Sequence, residues 1–504
     1  MRFYCTLFVH IALLVGLNAY SNAQEVVPNM LNAGTFGNTD VAQGYPALPP
    51  VYLDQMYPES VIGPPNAAPG PVIMPNGMPL QGLPGAGCSA GCCGGEDQGW
   101  AGQQCGCGVK TCGWPHRFWA RAEYLLWYVD GMHTPALVTT STDSLPPLEE
   151  AGVLGVPETR VLFGNDNILK TWRSGYRLNF GVWILEEQTL GFEWDIFGLG
   201  RTSRNFDADS FGNSGTVIAR PFFNINPRDP DTGAFDPPAA EDAELVAYPG
   251  IIQGRVDVGA NSLFGGTGFR FRYNLCCSQP SSKGCSGCGS GADGYGYADG
   301  GCGYRRMSRV DFLAGYRYVL LKDRISITEN LTTLDDVPID FVVNDRFRTR
   351  NTFNGIDLGF LWINEWDRLS TEVLTKVAFG NNHQKLGING QTVQTVIGIS
   401  NTDPGGLLSA QSNIGSSANN EFSVVPELGL TCGYRFAKNL RATFGYSFVY
   451  FSQVVRAGSE IDLDVNPDLI PPVQSTSGAP RPRRLFDDTD YWAQGFNFGL
   501  DARF

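Results

Sequence analysis

The chain has 504 residues, 42% of them hydrophobic and 17% charged, and a formal net charge of −14. That acidic balance excludes nucleic acid as a partner, because phosphate binding takes clustered Lys and Arg and no basic run occurs in the sequence. Low charge combined with 62 Gly and 12% aromatic residues is also unusual for a soluble chain of this size.

Residues 1–23 read as a secretory signal. Arg2 supplies the positive end, an apolar stretch runs from Leu7 to Leu17, and Ser21-Asn22-Ala23 places small residues before a cleavage point at Gln24. No Cys follows directly, which argues against a lipoprotein anchor. Residues 24–115 are rich in Pro and Gly (Pro49-Pro50, Pro64-Pro65, Pro69-Gly70, Asn76-Gly77) and are expected to be disordered. Their distal part carries Cys88, Cys92, Cys93, Cys105, Cys107 and Cys112. No later apolar run reaches the ~20 residues that a helical span requires. An exported chain of this kind is either soluble or a closed barrel, since only helices and barrels satisfy every backbone group in lipid.

The character changes at His116. From there to Phe504, residues alternate with a period of two, the strand signal. Trp172, Ser174, Tyr176, Leu178, Phe180 and Val182 share one parity, against Arg173, Gly175, Arg177, Asn179 and Gly181. Phe269, Phe271, Tyr273 and Leu275 likewise oppose Arg270, Arg272 and Asn274. The runs are about 10–15 residues long, the length that crosses a bilayer rather than that of an average soluble strand. Aromatics gather near their ends (Trp119, Trp127, Tyr128; Tyr491, Trp492), as in interfacial girdles.

The expected fold is all-β: an antiparallel transmembrane barrel over 116–504 with about 12 strands (10–14). The strands fall near 117–129, 170–185, 188–200, 214–222, 254–275, 306–322, 346–363, 368–382, 390–400, 421–437, 439–455 and 490–504. Glu186-Glu187 and Ala437-Lys438-Asn439 read as short periplasmic turns, and 130–169, 201–252, 276–304, 401–420 and 456–489 as external loops. Pro426 removes a ladder donor, so a bulge or a later strand start is expected there.

The last strand is the most specific segment. Trp492, Phe496, Phe498, Leu500 and Phe504 share one parity. A final strand ending in Phe resembles the signal by which outer-membrane barrels are delivered to the barrel-assembly machinery. Four stretches then resemble one family: Phe118-Trp119-Ala120-Arg121-Ala122-Glu123-Tyr124-Leu125-Leu126-Trp127, Arg348-Thr349-Arg350-Asn351-Thr352-Phe353-Asn354-Gly355, Val425-Pro426-Glu427-Leu428-Gly429, and Tyr491-Trp492-Ala493-Gln494-Gly495-Phe496-Asn497-Phe498-Gly499-Leu500. The chain from His116 onward is similar to the seventh of the numbered β-barrel porin families, found mainly in planctomycete bacteria. The resemblance implies an outer-membrane barrel. It implies no substrate and no catalytic residues.

The inward parity bears Arg173, Arg177, Arg270, Arg272, Arg317, Arg435 and Arg441 as candidate lumen-lining residues, with Arg348 and Arg350 expected to join them. Asp311, Glu427, Glu193 and Asp195 lie on the same parity. Two readings stay open: a charged lumen that biases solute passage, or ion pairs filling a barrel too narrow to conduct. The Cys of the N-terminal cluster, with Cys276, Cys277, Cys285, Cys288 and Cys302, are expected to form disulfides in an oxidising compartment, and self-association or crosslinking through them is open. Cys432 falls on the apolar parity. His383 lacks the neighbouring Ser of a barrel lipid hydrolase, and Asp462, Asp464 and Asp468 lack the Gly and bidentate Glu of a Ca²⁺ loop. No cofactor, metal or catalytic site is expected. The leading expectation is passive diffusion of small solutes through the outer membrane. The rivals are a structural or surface-display barrel crosslinked through Cys and, behind it, a lipid hydrolase.

Overall fold

The computed structural model describes residues 116–504, apart from 144, 213–214, 229–237, 279–305 and 473–477. The signal, the Pro- and Gly-rich segment, Cys88, Cys92, Cys93, Cys105, Cys107, Cys112, Cys285, Cys288 and Cys302 lie outside the described residues.

The chain enters the barrel wall through β1 (Phe118–Val129). It leaves the wall for β2 (Met132–Thr134), β3 (Val138–Ser141), β4 (Thr159–Phe163) and β5 (Asp166–Ile168), then returns in β6 (Trp172–Trp183) and β7 (Leu190–Leu199). β8 (Thr202–Ser210) continues β7, and β9 (Ile218–Asn224) and β10 (Ala240–Ala247) depart again. Four long strands follow: β11 (Ile252–Ser278), β12 (Arg306–Thr333), β13 (Ile339–Trp366) and β14 (Leu369–Val396). β15 (Ile399–Pro404) folds back on β14, and β16 (Gly415–Arg435) and β17 (Leu440–Val455) return to the wall. After the two-residue β18 (Asp464–Val465), β19 (Asp488–Arg503) pairs with β17 on one side and β1 on the other, closing the ring.

Twelve strands share this sheet. β8 pairs with β11 end to end with β7, and β15 only fringes β14, so ten strands form the ring: the lower end of the expected range. The two surplus strands of the sequence reading have a common cause, which is that alternation marks a strand but not its sheet. Residues 214–222 contribute β9, which belongs to a separate five-stranded sheet, and 390–400 is the top of β14, a turn and the start of β15.

The miscounted 214–222 also reversed one connection. Antiparallel strands alternate in direction, so one wall strand fewer sends β11 down towards the 184–189 turn, where Tyr273 faces Leu190. The 279–305 connection therefore leaves from the same end as the short turns and as Phe118 and Phe504, not from the external end as expected. Short turns mark the periplasmic end of outer-membrane barrels and long loops the external one.

Pro426 sits inside β16 facing Val377 without a register shift. β16 already begins at Gly415, so neither the expected bulge nor a later strand start is found; Pro426 is accommodated because pairing of β16 with β17 runs only from Glu427, facing Val449, to Arg435. The irregularity lies in β17, where Gln453 takes φ 54° and the register with β19 shifts between Phe451 and Val454.

The outward parity defines the lipid belt. On β12 it reads Val310, Phe312, Ala314, Tyr316, Tyr318 and Leu320, then turns to Lys322, Arg324, Ser326 and Thr328. Val310 to Leu320 spans about 33 Å of strand at about 3.3 Å per residue. A tilt of about 40° reduces this to roughly 25 Å of height, the size of an outer-membrane apolar band. At the outer edge of this belt Tyr128, Trp172 and Trp492 cluster, with Tyr128 centroids 5.5 and 6.1 Å from the other two. Trp119, Trp127 and Tyr491 point inward instead. Each is one residue off the outward parity, which nearness to a strand end does not reveal.

Candidate functional site: the barrel interior

The interior is layered along the axis. At the short-turn end a cavity of about 110 Å³ opens between Trp119, Trp183, Arg121, Glu372 and Arg272. Trp119 lies flat against β6 because the facing residue is Gly181, where a Cβ would meet the indole at 2.0 Å. Arg272 stands 5.6 Å over Trp119 and 5.1 Å over Trp183, and donates to Asp311 at 2.5 Å. Arg309 also donates to Asp311, at 2.7 Å, and sits 4.2 Å over Trp183. Across the cavity, Arg121 of β1 donates to Glu372 of β14 at 2.7 Å. Arg441 of β17 donates to the same carboxylate at 2.5 Å and pairs with Asp501.

The next layer is centred on Glu427. Arg317 of β12 is ion-paired with it at 2.8 Å, Lys376 of β14 at 3.1 Å and Arg177 of β6 at 3.2 Å. Arg270 joins Glu193 at 2.6 Å and Asp357 at 2.8 Å, and pairs with Asp195. Many of these contacts link strands that are not neighbours in the ring, so they cross the lumen. In the two layers together nine cations (Arg121, Arg177, Arg270, Arg272, Arg309, Arg317, Lys376, Arg441, Arg503) meet nine carboxylates (Glu123, Glu193, Asp195, Asp311, Asp357, Glu365, Glu372, Glu427, Asp501).

Above the charges lies an apolar layer. Leu125, Trp127, Phe197, Phe264, Val319, Leu321, Phe353, Val425, Phe451 and Tyr491 form one buried cluster. Phe264 of β11 meets Tyr491 of β19 at 4.7 Å between ring centroids, and Phe353 of β13 meets Phe451 of β17 at 5.9 Å. Neither pair is on adjacent strands. Interiors packed in this way leave few voids as large as a water molecule.

The upper barrel is filled by chain that has left the wall. Past its irregularity β17 turns inward, and inward amides of β13 and β14 hold it as a strand partner would. Asn351 donates to Val455 O at 2.8 Å and accepts from its N–H at 2.9 Å, while Asn382 and Gln384 donate to Gln453 O at 2.6 and 3.0 Å. Arg456 then pairs with Asp323 and lies 5.2 Å over Tyr491. Ala457 and Ile461 pack with Phe347, Leu386 and Ile388 of the wall. Arg220 of β9 brings the five-stranded sheet onto the wall through Glu329 of β12 and Asp345 of β13, the latter at 2.7 Å.

Of the arginines singled out by parity, Arg177, Arg270, Arg272, Arg317 and Arg441 join the two charged layers. Arg173 faces inward as well, but it binds backbone. It donates to Gly200 O at 3.0 and 2.7 Å and to Ser262 O at 2.8 Å, holding the junction between β7 and β8. Arg435 lies at the 436–439 turn and donates to Asp367 O. Arg348 and Arg350 point outward and are exposed, contrary to expectation. Asn351 and Thr349 hold the inward parity there, so the reading was one residue out of phase. Phe496, Phe498, Leu500 and Phe504 are exposed on the outside, with Trp492 beside them in the aromatic cluster at the belt edge. Cys276 and Cys277 are disulfide-bonded, and Cys432 is free and exposed. His383 is bonded to Asn420 at 2.9 Å. Asp462 accepts from Arg481 at 2.9 Å and Asp468 from Arg228 at 2.9 Å. Sequence reasoning passed over Glu372, Lys376, Asp357, Asp501 and the apolar layer. The available signal was the inward parity itself, which turns apolar at Leu125-Trp127-Val129 positions on β1 and at Val319 and Leu321 on β12.

A closed antiparallel ring with an apolar belt, an aromatic edge and short turns at one end defines an outer-membrane β-barrel. Residues 119–504 match the family model described as "Putative beta barrel porin-7", and the chain belongs to that family. Among curated proteins none matches the sequence. Among solved structures, the outer membrane protease OmpT from Escherichia coli is 8% identical, with a TM-score of 0.32 over 79% of this chain and 100% of that one. A FadL homologue from Pseudomonas aeruginosa is 9% identical, with a TM-score of 0.20 over 77% and 90%. Likeness at that level carries no argument about function.

Proposed function

We propose that this barrel is a closed, non-catalytic anchor in the outer membrane, a structural element rather than an open passive pore. The observation that carries the reading is the ring contact between Phe264 and Tyr491, which bridges the lumen at 4.7 Å. The equal numbers of cations and carboxylates in the two charged layers support it, because a paired stretch of lumen has no surplus charge with which to bias ions. In this reading residues 1–23 are removed on export, and Trp492, Phe496, Phe498, Leu500 and Phe504 are the handle for the assembly machinery.

The second reading is passive diffusion of small solutes. Family membership and the cavity at the short-turn end favour it. It requires the apolar layer to part. Single-channel recording of the refolded full chain in a planar bilayer decides between them. The anchor gives a folded, heat-modifiable barrel without conductance steps, whereas discrete, reproducible steps overturn it and establish the diffusion pathway.

A further inference from the structure

The outward face of β12, β13 and β14 turns from apolar to basic above the lipid belt, directly on β12 and through the polar outward positions Asn354 and Thr352 on β13 and Asn381 and His383 on β14. Below the change it is apolar: Tyr318 and Leu320 on β12, Ile356 and Leu358 on β13, Val377 and Phe379 on β14. Above it, Lys322 of β12 faces Arg350 of β13, which faces Lys385 of β14. One row further out, Arg324 faces Arg348. In the next row Arg346 stands between Ser326 and Asn389. Six cations thus occupy three successive rows.

Side chains directly opposite one another across an antiparallel pair have Cβ atoms about 4.5–5.5 Å apart, and like charges in that position repel. Nothing in the fold offsets this. None of the six has an ion pair among the described residues, although the arginines of the two charged interior layers are paired. The outward carboxylates Asp257 of the neighbouring β11 and Asp207 of β8 beyond it are engaged by Arg255. Partial burial, and then the charges of Arg346 and Arg348, push the Arg324 guanidinium below its ordinary value. A repulsive cluster in a chain of net charge −14 is a feature the fold itself does not require.

Its height supplies the partner. Arg350 and Lys385 stand three outward positions beyond Ile356 and Phe379, across a polar band, and Lys322 one outward position beyond Leu320, so the basic rows begin about 7 Å of strand above the last apolar side chain of β12. That is the level of the headgroups, on the side opposite the short turns and hence in the outer leaflet. Arg forks match phosphate oxygens in a bidentate fashion, and four of the six cations are Arg. We propose that this basic face of β12–β14 is a docking surface for anionic, phosphate-bearing lipid of the outer leaflet, whose acyl chains lie on the apolar belt below. The surface is continuous with the membrane contact that the barrel already makes, which distinguishes a lipid from a soluble partner.

The test uses the full chain refolded into phosphatidylcholine vesicles doped with phosphatidylglycerol, extracted in mild detergent, with the retained lipids counted by native mass spectrometry. Each basic residue at an anionic membrane surface favours binding by roughly fivefold. The protein should therefore retain phosphatidylglycerol well above its share in the vesicle. Lys322→Gln, Arg324→Gln, Arg348→Gln and Arg350→Gln together should bring retention to the bulk ratio, and should melt no lower than the parent in pure phosphatidylcholine because repulsion has been removed. Should that variant fail to fold, Arg348→Gln with Arg350→Gln serves, and Arg348→Lys with Arg350→Lys should keep most of the preference. Retention at the bulk ratio by the parent protein, or unchanged retention by the variant, overturns the proposal. Complete displacement by millimolar inorganic phosphate also overturns it, since the site would then take a free anion and not a lipid. Conductance enters none of these readouts, so the outcome is independent of whether the barrel is closed.

Discussion

Phe264 and Tyr491 sit on strands separated by three others in the ring, yet their aromatic rings meet at 4.7 Å and 51°. Both are essentially without solvent exposure. Phe264 extends the contact to Phe197 at 5.5 Å, and Phe197 to Trp127 at 6.0 Å, so one aromatic chain runs from β19 across the lumen to β11 and back along the wall to β1. Replacing both by Ala removes the bridge. Each large-to-small change in such a core costs about 3–5 kcal/mol. The expected result is a lower unfolding temperature together with ion leakage through vesicles containing the variant. A variant that is destabilised but ion-tight would place the barrier elsewhere.

Glu427 is the shared partner of Arg317, Lys376 and Arg177. Glu427→Gln leaves three interior cations facing one another around a neutral group. Breaking a buried ion pair from one side costs about 3–5 kcal/mol. Denaturant-induced unfolding in detergent should show a loss of that order, and Glu427→Gln with Lys376→Met should recover part of it. No recovery in the double variant would mean that Lys376 does not depend on Glu427.

Arg220 is the buried cation through which the β9 sheet meets the wall, at Glu329 and Asp345. Arg220→Ala strands two buried carboxylates and should release the sheet without unravelling the ring. Limited proteolysis should then cut between 139 and 224, while heat-modifiability on gels persists. Equal protease resistance of the parent and the variant would show that apolar contacts alone hold the sheet in place.

Glu460 is wholly buried, and its carboxylate accepts from Phe486 N at 2.7 Å and Asp487 N at 2.9 Å. Burial pushes its pKa up to about 7, opposed by those two hydrogen bonds and reinforced by Asp487 and Asp488. The folded form therefore holds a proton more tightly than the unfolded one, whose pKa is near 4.5. Stability from this group is complete below about 4.5 and is lost as pH rises towards 7. Protection factors at 486–488, with the intrinsic base-catalysed exchange divided out, should fall from pH 5 to pH 8, and Glu460→Gln should flatten that dependence. An equally steep dependence in the variant would assign it to other groups.

Phe504 anchors the seam of the ring: its carbonyl accepts from Arg117 N at 2.9 Å and Phe118 N at 3.0 Å, and its N–H donates to Phe118 O. Its side chain remains exposed. Phe504→Ser keeps the backbone bonds and should slow assembly into membranes severalfold, measured as the rate at which the heat-modifiable form appears. Its final unfolding midpoint should stay within about 0.5 kcal/mol of the parent. A normal assembly rate would remove the terminal ring from the delivery signal.

The alternation in Trp172–Trp183 or Phe444–Phe451 was sufficient to identify long antiparallel strands, and the apolar parity of β19 to identify an outward face, because a strand sorts its side chains by a local rule of period two. Barrel architecture follows from such local signals. Which strands enter the ring was not legible: Ile218–Asn224 reads locally as a strand, and its membership of the second sheet depends on Ala240–Ala247 and on Thr139. The acid partners of the inward arginines could be picked out by parity at Asp311, Glu427, Glu193 and Asp195, but not their matching, which joins residues up to some 250 positions apart.

Whether the interior is open was decided by tertiary structure alone. Val319 and Leu321 lie on the parity that also bears Arg317 and Asp323, and nothing local says that Phe264 and Tyr491 will meet across it. The same holds for the basic face. The sequence contains no basic run, since Arg346, Arg348 and Arg350 alternate with other residues and Lys322, Arg324 and Lys385 lie on different strands. Register gathers them, because pairing brings residues more than 20 positions apart into one row. The period of the strands belongs to the sequence; the filling of the lumen and the charge on the outer rim belong to the closed ring.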